Sequence, residues 1–184
     1  MFDEEVGPIK EYIQNAVGKE GAKLCYLATF GSVLYPESFD KDGKGTSDID
    51  FVSVVKEDFL ASEFRLPGFS RTSPGYLTLG WAVYRHDNEE FSEWAGKRQV
   101  DLIVISLSRF DELIGDIKSE HKERLIEKMS GHNAHLLAFA EGKAFTNNLD
   151  YERCLHLETL KSLFSEEVRR LALEHKREAR RERE

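Results

Sequence analysis

"TFGSVLYPESFDKDGKGTSDIDFVSVV", residues 29–55, sets Asp48 and Asp50 one residue apart beside the apolar residues Ile49, Phe51, Val52, Val54 and Val55. On a strand, side chains alternate between faces, so the two carboxylates point one way while Ile49 and Phe51 point the other. Carboxylates about 6–7 Å apart repel by roughly 2–3 kcal/mol at an effective dielectric near 20. A strand made only to fill a core takes Val or Thr at such positions. A divalent cation between the two acids reverses the sign of their interaction. Hard ions such as Mg²⁺ accept carboxylate oxygens and keep room for substrate phosphates.

The same anomaly recurs fifty residues on. Asp101 stands in "QVDLIVIS", residues 99–106, another β-branched strand. If this strand lies beside the first, three carboxylates meet at one spot, the requirement of a two-metal phosphoryl-transfer site. Upstream, Gly31-Ser32 closes the apolar stretch "AKLCYLATF", residues 22–30. Glycine admits close approach of the backbone to a phosphate, and the serine hydroxyl and nearby amides donate to its oxygens. Ser47, next to Asp48, adds a further hydroxyl.

Around this nucleus the chain reads as α/β (α+β), a small mixed sheet with helices followed by a helical C-terminal part. Residues 8–19 repeat Ile9, Tyr12, Ile13 and Val17 at helical period, with Pro8 at a helix start. Residues 57–75 read as a short helix and a loop, and residues 75–86 as an edge or hairpin strand. From Ser108 onward, Phe110, Leu113, Ile114, Ile117, Leu125 and Ile126 fall at helical spacing, with Ser108 or Asp111 as cap. A second long helical pattern fills residues 147–184. The expected division is residues 1–108 as core and 109–184 as a helical region, the two free to share one interior.

At 184 residues the chain suffices for one domain with a proper core. No apolar run approaches the ~20 residues that cross a bilayer, and the acidic N-terminus lacks a secretory pattern. Cys25 and Cys154 suggest no disulfide framework, so a cytoplasmic setting is the default expectation. A net charge of −8 argues against binding of nucleic acid over the whole surface. "KREARRERE" at the C-terminus alternates its charges and reads first as a solvated helix end, second as an RNA contact. His132 and His135 lack partners at metal spacing and read as surface or cap residues. Trp81, Tyr84 and Trp94 suit packing better than base stacking.

"FGS" (30–32), "SDIDF" (47–51) and "VDLIV" (100–104) together resemble the DNA polymerase β-like nucleotidyltransferase superfamily, most of all its minimal members. The resemblance covers residues 20–106. It implies a Mg²⁺-dependent enzyme, with Mn²⁺ as a substitute, that moves a nucleoside monophosphate from an NTP to an acceptor hydroxyl. In that scheme Asp48, Asp50 and Asp101 are the metal ligands and catalytic carboxylates. Asp101 also helps to deprotonate the acceptor, and Gly31 and Ser32 hold the β- and γ-phosphates. Fifteen residues separate Ser32 from Asp48, more than is usual in the family. The extra loop carries Lys41 and Lys44, which either reach the triphosphate or acceptor or are neutral decoration. The acceptor stays open among a protein side chain, a small molecule and an RNA 3′ end, the acidic charge favouring the first two. Two other readings remain. One is a catalytically silent module of the same fold that binds nucleotide or a partner, with the C-terminal helices as the interface of a homodimer. The other is a glycosyltransferase using Asp-x-Asp, which leaves Gly31, Ser32 and Asp101 without roles.

Overall fold

A computed structural model describes residues 2–19, 24–34, 48–56, 67–72, 80–86, 98–115, 117, 122–130 and 134–181. Ser47, Lys41, Lys44, Trp94 and His132 lie outside the described residues. The chain divides into two compact units, Met1–Phe110 with Lys143–Asn148, and Asp111–Gly142 with Leu149–Glu184.

The first unit is built on helix α1 (Phe2–Lys19) and strands β1 (Leu24–Phe30), β2 (Ile49–Val55), β3 (Phe69–Arg71), β4 (Trp81–His86), β5 (Val100–Ser106) and β6 (Lys143–Asn147). The strands form one mixed sheet in the order β3-β4-β5-β2-β1-β6. Only the central pair β2 and β5 runs parallel; the remaining neighbours are antiparallel. The protein therefore has an α+β fold. β1, β2 and β5 are almost continuously buried, which matches their unbroken apolar sequence and their central place.

The sheet is buried on both faces over much of its length, Val52, Val54, Tyr26 and Ala28 on one and a cluster against α1 on the other. Leu27, Ile49, Phe51, Val55, Ala82, Tyr84, Val100, Leu102 and Val104 join Val6, Ile9, Ile13 and Ala16 of α1 in a single apolar cluster. Each large side chain removed from water there contributes roughly 1.5–3 kcal/mol. Tyr84 thus belongs to the core and is not offered to a base. The helix starts six residues earlier than the sequence suggests, and Pro8 lies inside it. Val6 is fully buried while Pro8 is exposed, so burial of the apolar stripe extends past a residue that deprives one turn of its hydrogen bond.

β4 takes the hairpin alternative of the two that the sequence left open, pairing antiparallel with β3 in register Phe69↔His86, and β3 takes the edge. Four further departures have local causes. At the opposite edge β6, inside the stretch expected to be helical, pairs with β1 through Leu27↔Thr146 and Tyr26↔Asn147. The first long helical pattern is broken after α2 (Leu107–Ile114), where Gly115 turns the chain, and resumes as α3 (Lys122–Ser130) and α4 (Ala134–Glu141). Ser106 supplies the cap of α2 in place of Ser108 or Asp111, its Oγ accepting from the Arg109 amide at 3.2 Å. The second pattern is likewise two helices, α5 (Tyr151–Leu163) and α6 (Glu166–Arg181).

In the second unit α3 packs on α4 and α6, and α4 packs on α5. Leu125, Met129, Leu136, Phe139, Leu160 and Val168 are buried there, as is His135, which the sequence had suggested for a surface or cap. Among the described residues no helix is long and apolar enough to cross a membrane. Asp150 caps α5, accepting from the Arg153 amide at 3.0 Å, and the Arg153 side chain forks onto Asp111 at 2.7 and 2.6 Å. The amide bond from Arg153, then its side chain, holds the Asp150 carboxyl below its usual range. A lowered folded value stabilises the native state above the unfolded carboxyl's ordinary pKa of about 3.9, and this is lost as pH falls through the lowered value. The urea midpoints of wild type and Asp150→Asn should therefore differ most at neutral pH and converge below about pH 4. A difference independent of pH would contradict the assignment of this cap.

Candidate active site

The parallel pairing of β2 with β5 decides which side chains meet. Its register sets Ile49 against Val100, Asp50 against Asp101 and Phe51 against Leu102. Register partners share a face, and neighbouring strands lie about 4.8 Å apart. Asp50 and Asp101 are thus side by side on the face opposite α1, while Ile49, Phe51, Val100 and Leu102 point into the core. On either side of this pair the row continues with Phe30 of β1, opposite Asp50, and Arg85 of β4, opposite Asp101. Across four strands one face therefore reads Phe30, Asp50, Asp101, Arg85.

Gly31 follows directly on β1 and opens a 3-10 turn, Gly31–Leu34, whose Val33 is buried and pins the turn to the core. Its φ of +77° is one that side-chain-bearing residues rarely adopt. A Cβ placed there would lie 3.2 Å from Asp50 Oδ2, so the glycine backs directly onto the carboxylate. Ser32 is exposed. The Thr29 hydroxyl donates to the main-chain carbonyl of Asp50 at 2.9 Å and fastens the end of β1 to β2 at the acid itself. Asp48 is exposed and immediately precedes β2.

Two residues that the sequence did not single out occupy Asp101. Arg85 donates from Nε to Oδ1 at 2.9 Å and from Nη2 to Oδ2 at 3.2 Å, a two-pronged contact that engages both carboxylate oxygens. Gln99 Nε2 donates to Oδ2 at 3.0 Å. The hydrogen bond and charge of Asp101, with a smaller contribution from the charge of Asp48, raise the pKa of Arg85 above its ordinary value. Asp101 and Asp48 therefore both lie within electrostatic reach of Arg85. The signal for Arg85 was present in "WAVYRH": a charged residue in an alternating strand, the same oddity that marks the aspartates, with the opposite sign.

The acids are hard oxygen donors on one face, the chemistry that Mg²⁺ takes. Among the described residues, however, no three His, Cys, Asp or Glu side chains are gathered closely enough to hold a metal ion. The Asp101 carboxylate is turned onto Arg85 and Gln99, which take three of its roughly four lone-pair sites. Elsewhere, a cavity of about 320 Å³ within the second unit is lined by Asp111, Gly115, Asp150, Glu152, Arg153 and His156, and includes no residue of the acidic row.

No family model, curated protein or solved structure matches the chain.

Gly31→Ala should lower stability by about 1–3 kcal/mol, the usual cost of a side chain in a left-handed backbone. Arg85→Gln should change it by less than about 1 kcal/mol, because the Arg85 side chain is 49% exposed and exposed ion pairs contribute little. Urea denaturation measures both. An inert Gly31→Ala, or a loss above about 2 kcal/mol for Arg85→Gln, would contradict the roles given to these residues.

Proposed function

We propose that the protein transfers a nucleoside monophosphate from an NTP to an acceptor hydroxyl, with Mg²⁺ as cofactor and Mn²⁺ as a substitute. The observation that carries this is the β2–β5 register, which sets Asp50 beside Asp101 on one face, with Gly31 backing onto Asp50. Neighbouring carboxylates on one face favour positive partners, and a glycine lets the backbone approach a phosphate closely. A sheet built only for packing requires neither.

Asp48, Asp50 and Asp101 would hold the ions, which when bound neutralise the triphosphate and favour ionisation of the acceptor hydroxyl. The Gly31 amide and the Ser32 hydroxyl donate to the β- and γ-phosphate oxygens and keep the chain of the donor in line. Ser47 and Lys44 are proposed to extend this cradle from the loop that precedes Asp48. Asp101 takes the acceptor proton as the acceptor oxygen bonds to the α-phosphorus. The bond between the α-phosphorus and the bridging oxygen then breaks, and pyrophosphate leaves with that electron pair. A protein side chain or a small molecule is the favoured acceptor for a chain of net charge −8, and a cytoplasmic setting suits an NTP donor.

A specific observation also supports a second reading. Because Arg85 already supplies Asp101 with a positive partner, a catalytically silent module of this fold would keep that ion pair permanently. Such a module would bind nucleotide or a partner, for instance a second copy through its C-terminal helices, without turnover.

Incubation with α-³²P-labelled ATP, CTP, GTP and UTP, Mg²⁺ and cell extract as a source of acceptors distinguishes the two. We expect label on an acceptor or on the protein itself, abolished by EDTA and lowered at least about 100-fold in Asp50→Asn and Asp101→Asn. Transfer that survives both substitutions would contradict the proposed site, and Mg²⁺-dependent NTP binding without transfer would favour the silent module.

A further inference from the structure

Every large apolar side chain that stands exposed among the described residues lies on one helix. Tyr151 is 83% exposed, Leu155 42% and Leu163 40%, all on α5. Single apolar residues on a surface are ordinary, but these share one line. Tyr151, Leu155, Thr159 and Leu163 are spaced four apart and form a ridge about 18 Å long, away from the buried Leu157 and Leu160. Such rows are the ridges by which helices most often interdigitate. The hydroxyls on this side are turned inward. Thr159 donates to the Leu155 carbonyl at 2.8 Å, and Ser162 to the Thr159 carbonyl at 2.8 Å. Neither hydroxyl depends on water, so covering the ridge leaves no such group unpaired. A helix apolar on two opposite sides reads as one covered on both.

The ridge fits a second copy of itself. With two helices antiparallel about a two-fold axis level with Leu157, Tyr151 of each meets Leu163 of the other, and Leu155 meets Thr159. A leucine then stands against a small residue at the centre, and a tyrosine against a leucine at each end, so the ridges interlock. The exposed charges agree with this pairing. Glu152 falls opposite Ser162 and Glu158 opposite His156, so no carboxylate faces another across the axis. We propose that the ridge Tyr151, Leu155, Thr159 and Leu163 is the contact of an antiparallel, two-fold homodimer. A single ridge of this length stays below the roughly 1,200 Å² of a standard interface, so the dimer is weak and reversible. The chains carry a net charge of −8 each and repel at long range, so added salt strengthens their association by screening. A basic helix on the same ridge would respond to salt in the opposite sense. The dimer depends on neither reading of the acidic row, none of whose residues takes part.

Sedimentation equilibrium of the full-length chain, loaded from about 5 to about 500 µM, reads the association directly. Wild type should pass from one chain towards two over this range, at least about threefold more tightly in about 0.5 M than in about 0.05 M NaCl. Leu155→Glu and Tyr151→Ser should each weaken association at least about tenfold. Both positions are exposed, so the variants should keep the circular dichroism and urea midpoint of wild type, which separates loss of the contact from loss of the fold. An equimolar mixture of Leu155→Glu and Thr159→Lys should associate more tightly than either variant alone. Only the antiparallel pairing sets the introduced carboxylate of one chain against the introduced ammonium of the other. A wild type that stays monomeric at the highest concentration in both salts would overturn the proposal. So would a dimer that survives Leu155→Glu and Tyr151→Ser, one that salt weakens, or a mixture no tighter than its two components.

Discussion

The parallel pairing of β2 with β5 is the constraint on which the candidate site depends. Shifted by one residue, this ladder would turn Asp101 into the core and put Val100 or Leu102 beside Asp50. The register holds because the opposite face demands it. Ile49, Phe51, Val100 and Leu102 are all fully buried in the cluster with α1, and exposing them would forfeit several kcal/mol. The Thr29 bond to the Asp50 carbonyl and the left-handed turn at Gly31 then fix where β1 stops relative to the acids. The apolar cluster against α1 thereby sets the geometry of the charged groups on the opposite face.

Those charged groups form a row of alternating demands. Asp50 and Asp101 sit one strand apart, and the repulsion between them needs a positive neighbour. In the structure Arg85 meets part of that need from the far side of Asp101, and Gln99 satisfies a further lone pair of the same carboxylate. The arrangement is self-consistent without any ion.

Much of this was legible in the chain. An aspartate at positions 48, 50 and 101 inside β-branched surroundings breaks the binary pattern of a strand, and such a break marks a place where something besides packing is at stake. The strands themselves were evident because β1, β2 and β5 are unbroken apolar runs. Other elements were hidden for physical reasons. β3 has three residues, two of them exposed, and β6 has no buried residue, so neither carries an apolar signature; both owe their place to pairing with a stronger neighbour. Pro8 masked the start of α1, because a local breaker is outweighed by the burial of Val6. The two long helical patterns each proved to be shorter helices, since periodicity survives a turn such as that at Gly115 or Phe164. Arg85 was missed because a single arginine in a strand normally marks a solvated edge, and only the register of β4 with β5 reveals what it faces.

The most direct test is paramagnetic. In amide NMR spectra of isotopically labelled protein with a non-hydrolysable triphosphate, substoichiometric Mn²⁺ should first broaden the signals of residues 31–32, 48–51 and 100–102, which converge on the carboxyl row. Broadening that begins elsewhere, or that spreads evenly over the acidic surface, would contradict the claim that these strands build an ion and nucleotide site.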